Sequence, residues 1–511
     1  MEAFEAILVM LAGAVVLLAV ARRTGVPYPA LLAIAGAGLA LLPIDLPFRL
    51  DPALALALFV APILLDAAYD TSLRDLKANW RPILGLVVVA VGLTTLAVAG
   101  IVHWLVPGLP WAAAIALGAI VAPPDASAAT AALKQVSPPH RLNVILQGES
   151  LLNDASALLI YRLAVTAALS GGTVTAAVIA PTFLLSVVGS LIAGPAIGWL
   201  WTKIDRRISD GPSSIILQFV MTFGVWVVAE ALELSAILTV VTYAMTVARA
   251  APADTPARLR VPSYAVWETA VVVLTALAFV LCGLQLGPVI AGAKAGEIAR
   301  WSVVATAVLA TVIAMRLLWV MGVNRVLWLR GTHTADDALP DWRSGLVIGW
   351  SGMRGIVTVA TALALPGGFP ARDQLLFTAF FVTLGTLVIQ GLTLKPLVRR
   401  LHIEDDGPVE REIRLARGAL AEAALTAIEG DDSDEAVALR DELEIEKRTA
   451  DEADEGEARP VLPAKVLRGR VSKVRRDRLL ALRHAGTIGD DAFHVLEEEL
   501  DFADLAIGSR I

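Results

Sequence analysis

The chain has 511 residues, of which 57% are hydrophobic and only 18% are charged. Soluble proteins carry about a quarter charged residues, so the composition excludes soluble enzymes, nucleic-acid-binding proteins and disordered proteins. It predicts an integral membrane protein. The net charge of −7 divides unevenly, since residues 1–400 hold 26 basic and 21 acidic residues and residues 401–511 hold 16 basic and 28 acidic. We therefore predict a membrane domain over residues 1–400 and an acidic, helical, cytoplasmic tail over residues 401–511, whose regulatory role is left open.

Apolar segments long enough to cross a bilayer, about 17–25 residues each, follow one another along the first 400 residues. We predict thirteen, near 3–21, 27–44, 51–69, 81–105, 111–134, 142–168, 179–203, 211–230, 233–249, 264–285, 299–324, 343–365 and 373–398. One set of alternate loops contains 19 Lys and Arg residues, and the other set contains 4. Because basic loops face the cytoplasm, we expect a multi-pass protein of the inner (plasma) membrane with its N-terminus outside.

The tail carries apolar residues at helical spacing among its charges. This pattern predicts soluble helices near 407–428, 433–449, 461–485 and 488–507. No phosphate-binding loop, nucleotide fingerprint or metal motif occurs in it. We therefore expect no cofactor, no nucleotide and no nucleic-acid partner, and membrane lipid as the surroundings of the first 400 residues.

The sixth predicted span contains the sharpest cluster of polar residues. Glu149, Ser150, Asn153 and Asp154 fall within about 140° of arc on a helix, at about 100° per residue. Charges at membrane depth are costly and mark ion or proton pathways. Two carboxylates, a hydroxyl and an amide supply only oxygen ligands, which suit a hard cation or a proton and do not suit zinc or copper.

Two other spans contain residues that interrupt helices. Pro123 and Pro124 remove backbone donors beside Asp125 in the fifth span, so free backbone groups there must line a cavity or be buried in protein. Gly352 and Gly355 flank Arg354 in the twelfth span, about 16 Å from its inner end. A buried guanidinium needs a carboxylate partner, and we predict that this partner is Glu149.

The two interrupted spans are seven apart in the predicted order. If spans 1–6 and 8–13 form two repeats, the interrupted spans occupy corresponding positions in two oppositely oriented halves. Paired interrupted spans of this kind indicate a binding site at the membrane midplane.

Three motifs together resemble those of the monovalent cation/proton antiporters, the bacterial sodium/proton antiporters similar to eukaryotic sodium/hydrogen exchangers. They are Gly148-Glu149-Ser150-Leu151-Leu152-Asn153-Asp154, Gly352-Met353-Arg354-Gly355 and Pro62-Ile63-Leu64-Leu65-Asp66. The resemblance implies an all-α polytopic fold of about thirteen helices, with two inverted repeats and discontinuous crossing helices. It also implies a homodimer that exchanges Na⁺ (or Li⁺, sometimes K⁺) for H⁺ by alternating access, and so a transporter with no enzymatic activity.

The resemblance also implies a role for each matching residue. Asp154 resembles the carboxylate that alternately holds cation and proton, and Ser150 and Asp66 resemble further Na⁺ ligands. Asn153 stands where electrogenic relatives carry a second Asp, which resembles the electroneutral branch. Asp125 matches the acid of the broken fifth span.

The resemblance implies a structural ion pair between Glu149 and Arg354, as in the electroneutral branch.

One departure from the family pattern concerns the broken fifth span, where many members read Thr-Asp-Pro and this chain reads Pro124-Asp125-Ala126. That difference keeps a K⁺/H⁺ antiporter of the same fold as an alternative.

Two other functions account for less of the pattern than antiport does. An intramembrane aspartyl protease would use Asp125 and Asp154 as a catalytic pair, but it leaves Ser150, Asn153, Asp66 and the break at Arg354 unexplained. A sensor without transport activity, signalling through the tail, is disfavoured by the intact set of acids.

Overall fold

The computed structural model describes most of the chain as helix. The described residues are 2–41, 52–133, 138–170, 176–254 without 206 and 209, 257–329, 342–403, 407–452 without 432, and 474, 475, 477–482, 496 and 500. None of these residues forms a β-strand. The chain divides into two units, Met1–Asp406 and Gly407–Ile511. The all-helical class predicted from the sequence is confirmed.

The first unit contains nineteen α-helices within its described residues. They are α1 (Glu2–Thr24), α2 (Tyr28–Ala40), α3 (Pro52–Ala55), α4 (Ala61–Tyr69), α5 (Leu73–Ala78), α6 (Trp80–Leu84), α7 (Val91–Leu105), α8 (Trp111–Val121), α9 (Ala126–Leu133), α10 (His140–Leu169), α11 (Ala176–Asp205), α12 (Gly211–Ala231), α13 (Ala236–Asp254), α14 (Ala257–Leu284), α15 (Leu286–Ala291), α16 (Ala295–Leu329), α17 (Trp342–Trp350), α18 (Ile356–Leu363) and α19 (Arg372–Leu401). π-Helical turns join α3 to α4 (Leu56–Val60) and α6 to α7 (Gly85–Ala90), so each pair forms one continuous rod.

Eight described helical stretches are long and apolar enough to cross a membrane. They are Phe4–Thr24, Trp80–Leu105, His140–Leu169, Leu185–Asp205, Gly211–Ala231, Arg260–Ala291, Ala295–Val326 and Arg372–Leu401. Shorter apolar helices and the two interrupted helices, α8–α9 and α17–α18, cover the remaining predicted spans. The total of thirteen spans stays a prediction.

Small residues let several of these helices pack backbone against backbone. A Cβ atom added to Gly36 would strike the carbonyl of Val280, and one added to Gly283 would strike the backbone of Ala33, so α2 and α14 touch along their main chains. Close approach through small residues is the usual way in which helices associate within lipid, where burial of apolar side chains supplies little driving force.

The second unit contains two amphipathic helices among its described residues. They are α20 (Pro408–Ala427) and α21 (Asp434–Glu452), which agree with the first two helices predicted for the tail. Ala421 and Ala436 are buried within this unit, and most of the charged side chains are exposed. The predicted helix near 461–485 is described only at 474, 475 and 477–482, and nearly all of the one near 488–507 lies outside the described residues.

Candidate functional site

The two interrupted helices meet at their breaks. Helix α8 ends at Val121 and α9 begins at Ala126, while α17 ends at Trp350 and α18 begins at Ile356. The backbone N–H of Asp125 donates a hydrogen bond of 2.7 Å to the carbonyl of Met353. A Cβ atom added to Gly355 would collide with the carboxylate of Asp125. The contact between the two breaks therefore requires glycine at position 355.

Arg354 uses its guanidinium to bind the carbonyl groups that the breaks leave free. Its Nε donates to the carbonyl of Val121 at 2.8 Å, its Nη2 to that of Ala122 at 3.0 Å, and its Nη1 to that of Gly352. The C-terminal end of a helix has unpaired carbonyls and carries partial negative charge. Arg354 thus neutralises the end of α8, and only 1% of it is exposed.

The predicted ion pair between Glu149 and Arg354 is wrong, because the structure pairs Glu149 with Arg316. Two nitrogens of Arg316, on α16, bind the two carboxylate oxygens of Glu149, with Nη2 2.7 Å from Oε2. Arg316 Nε also donates to the carbonyl of Ile348, in the last turn of α17. Arg316 lies within the eleventh predicted span, 299–324, and the sequence analysis gives it no role. This position was the sequence signal for the observed pairing, because a second arginine within a span competes with Arg354 for the carboxylate of Glu149.

The polar face of α10 lies against the break in the fifth span. Asn153 is fully buried and its Nδ2 donates a hydrogen bond of 2.8 Å to the carbonyl of Pro124. Its Oδ1 is buried without a hydrogen-bond partner among the described residues. Ser156, farther along the same helix, donates to the carbonyl of Val87 in the π-helical turn Gly85–Ala90. These bonds fix α10 against its neighbours on both sides of Asp154.

Asp154 is 7% exposed, and across the described ranges its carboxylate forms no hydrogen bond or ion pair with another residue. It interacts electrostatically with Asp125. The Oδ1 atom of Asp125 accepts hydrogen bonds from the backbone N–H of Ser127 at 2.8 Å and from its hydroxyl at 2.6 Å. Asp125 is therefore held at the start of α9, while Asp154 is available to bind a cation or a proton. Ser150 lies half-buried one turn before Asp154 on α10.

Asp66 lies on α4 and lines a cavity of about 460 Å³ whose walls include none of Ser150, Asp125 and Asp154. Its predicted role as a Na⁺ ligand stays a prediction. Within the described part of the chain, no group of three or more His, Cys, Asp or Glu side chains converges as a metal site. Asp154, Ser150 and the carbonyl groups of the breaks offer oxygen ligands, which suit a hard cation or a proton.

Comparison with known proteins identifies relatives along most of the chain. A family model described as the transmembrane sodium/hydrogen exchanger matches residues 7–400. The uncharacterized Na(+)/H(+) exchanger YjcE of Escherichia coli K12 is 29% identical over 424 residues, which cover 79% of this chain and 77% of the relative. A sodium, potassium, lithium and rubidium/H(+) antiporter of Bacillus subtilis is 30% identical over 384 residues, which cover 72% of this chain and 57% of the relative.

A solved structure has a similar fold. The sodium proton antiporter MjNhaP1 of Methanocaldococcus jannaschii superimposes with a TM-score of 0.61 at 17% identity. The match covers 78% of this chain and 99% of that one. At this identity the likeness concerns the fold alone.

Proposed function

Because the chain belongs to the transmembrane sodium/hydrogen exchanger family, we propose that it exchanges Na⁺ or Li⁺ for H⁺ by competition of the two ions for Asp154. Exchange of a monovalent cation against protons follows from membership of the family. The choice of cation, the electroneutral stoichiometry and the role of Asp154 are the proposed part.

The observation that carries the proposal is the setting of Asp154. Its carboxylate is buried and has no hydrogen-bond or ion-pair partner in the described residues, and it faces the region where two interrupted helices cross. Among the described charged residues near the two breaks, Glu149 pairs with Arg316, Arg354 binds carbonyls, and Asp125 binds Ser127. No described residue neutralises the charge of Asp154, so a transported ion balances it.

The mechanism follows from the unfavourable free energy of an unneutralised charge in a site without water. A buried carboxylate without a partner is expensive, whereas the same group with one Na⁺ or one proton bound is close to neutral. The site then changes its access between the two sides of the membrane only when Asp154 is occupied. One cation crosses for each proton, so the cycle is electroneutral. Asn153 contributes no further titrating group, which supports this stoichiometry.

A second candidate is a K⁺/H⁺ antiporter that uses the same residues. Two observations favour it: the order Pro124-Asp125-Ala126 at the break, and a Bacillus subtilis relative whose name includes potassium. We further propose an inner-membrane location and a homodimer, as the resemblance implies. The N-terminus lies outside and the tail in the cytoplasm, in line with the 19 and 4 basic residues of the alternate loops.

The proposal is tested by ion-driven proton flux in proteoliposomes that contain a pH-sensitive dye. Na⁺, Li⁺ and K⁺ are added in turn to the wild type, to Asp154→Asn, and to Asp373→Asn as a matched control. Asp373 lies in the first turn of α19 with its side chain 70% exposed, so the same substitution there leaves flux unchanged. We expect flux with Na⁺ and Li⁺ and none above that of empty liposomes in Asp154→Asn.

Each outcome has a defined meaning. Flux in Asp154→Asn at the wild-type rate contradicts the role of Asp154. A response to K⁺ that exceeds the response to Na⁺ selects the second candidate. An imposed membrane potential should leave the Na⁺-driven rate unchanged, and a strong dependence on potential contradicts electroneutral exchange.

A further inference from the structure

The cavity that contains Asp66 has none of Ser150, Asp125 and Asp154 in its walls, and its lining is unusual. Its volume of about 460 Å³ falls in the range of small-molecule sites, about 300–1,000 Å³. It is formed where parts of six helices, α2, α4, α11, α12, α13 and α14, come together. For α4, α11 and α14 these parts adjoin the loops of the strongly basic set. The cavity is far larger than a single inorganic cation requires.

The charge of the lining is opposite to that of the surrounding loops. Four carboxylates line the cavity and one guanidinium, that of Arg260, opposes them. The carboxylates belong to Asp66, Asp70, Asp205 and Glu268. A cavity with an excess of negative charge inside low-dielectric walls raises the local concentration of cations.

Aromatic side chains are concentrated in the same cavity. The chain has only five tyrosines, and four of them line it, together with Trp201 and Trp267. The tyrosines are Tyr28, Tyr69, Tyr243 and Tyr264. Aromatic faces attract weakly hydrated organic cations, and cages of this composition bind quaternary ammonium groups. A hard ion such as Na⁺ prefers oxygen ligands alone, so the rings indicate an organic cation.

Tyr243 provides an independent indication of a ligand. Its side chain is only 3% exposed, yet its hydroxyl forms no hydrogen bond with any residue that the structure describes. It interacts electrostatically with Asp205, which also lines the cavity. Buried polar groups are normally hydrogen-bonded, so a hydroxyl held in the wall of a cavity without a protein partner is suited to a polar ligand.

Several residues that line the cavity are hydrogen-bonded to one another. Gln218 Oε1 accepts from Ser263 Oγ at 3.0 Å and from Trp267 Nε1 at 2.7 Å. The hydroxyl of Ser214 donates to Asp205 at 3.2 Å, and the ring of Trp267 stacks on Phe219 with centroids 4.3 Å apart. A wall that is ordered before binding reduces the entropic cost of taking up a ligand.

We propose that this cavity is a binding site for a small organic ammonium ion, separate from the cation site at Asp154. The positive head lies among the aromatic faces and is balanced by Asp205 and Glu268. A hydroxyl or amine of the ligand bonds to Tyr243. The proposal does not depend on which cation the protein exchanges.

The test uses choline as the probe and 3,3-dimethylbutan-1-ol, its uncharged carbon analogue, as the matched ligand control. Isothermal titration calorimetry is carried out on the full-length protein in a neutral detergent and a potassium phosphate buffer free of amines. We expect binding of choline and no binding of the analogue. Equal binding of the two compounds, or no binding of choline, overturns the proposal.

Variants locate the site. Asp205→Asn should weaken choline binding about tenfold through loss of one charge, and Tyr264→Leu about threefold through loss of one aromatic face. Tyr161→Phe alters the one tyrosine outside the cavity and should leave binding unchanged. Wild-type affinity in both Asp205→Asn and Tyr264→Leu, in protein that remains monodisperse, would show that choline binds elsewhere.

A last comparison separates this site from transport. Asp154→Asn should bind choline with wild-type affinity even though it exchanges no ions. Loss of choline binding in that variant would place the ligand at Asp154 and contradict a separate site. Retained binding together with retained exchange would contradict the proposed function and leave the ammonium site standing.

Discussion

Replacement of Glu149 by glutamine tests the ion pair that the structure assigns to Arg316. Glu149 is 1% exposed and Arg316 is 3% exposed, so the substitution leaves an uncompensated guanidinium in a dry bundle. Breaking a buried ion pair in this way costs about 3–5 kcal/mol. Arg354 keeps its carbonyl partners and interacts with Glu149 only electrostatically, so the cost arises mainly at Arg316.

The assay compares the stability of the purified protein in detergent across a double-mutant cycle. Thermal midpoints and denaturant titrations are measured for Glu149→Gln, Arg316→Met and the double variant. Because removal of both charges avoids an unpaired ion, the double variant should be destabilised by much less than the sum of the two single variants, with a coupling energy of at least about 3 kcal/mol. A parallel cycle with Arg354→Met should show little coupling to Glu149.

The reverse result refutes the assignment. If Arg354→Met rescues Glu149→Gln and Arg316→Met does not, the carboxylate is paired with Arg354 in the folded protein. Additive effects in both cycles would show that neither arginine is in direct contact with Glu149.

Two further predictions concern Gly355, at the contact between the two breaks, and Asp75, in helix α5. Gly355→Ala should lower both the thermal midpoint and the exchange rate, because its Cβ meets the Asp125 carboxylate, whereas Gly100→Ala, with nothing within 4 Å, should be neutral or stabilising by up to about 1 kcal/mol; equal effects of the two would contradict this. The second prediction concerns Asp75 in the connecting helix α5. Partial burial raises the pKa of its carboxyl, but hydrogen bonds from His140, Arg74 and Ser72 lower it by more and hold it below its usual value. This contribution to stability is therefore present above about pH 4 and is lost as pH falls through the lowered value. The difference in thermal midpoint between the wild type and Asp75→Asn should vanish at low pH, and a difference independent of pH would contradict it.

Several features of the fold follow from short-range rules and could be predicted from the sequence. Hydropathy identified the apolar segments, and Pro123 and Pro124 predicted the end of α8, because proline cannot donate the bond that continues a helix. The glycines around Arg354 likewise indicated the break that the structure places between Trp350 and Ile356. Helical periodicity placed Glu149, Asn153 and Asp154 on one helix.

The pairing of charges could not be predicted in the same way. Arg316 lies 167 residues from Glu149 in the chain, and Arg354 lies farther still. Electrostatics required that Glu149 have a cationic partner, but both arginines met that requirement. Only the tertiary structure brings Arg316, on α16, to Glu149, on α10, and the free carbonyls at the end of α8 bind Arg354 instead.

The sequence by itself determined the membrane class, the helix breaks and the oxygen-bearing face of α10, since each depends on residues within one or two helical turns. The tertiary structure decided which arginine binds Glu149, that the two breaks are hydrogen-bonded to one another, and that four distant tyrosines line one cavity with Asp66. These features depend on distances between separate helices. Such distances follow from the packing of the whole bundle, which no local pattern encodes.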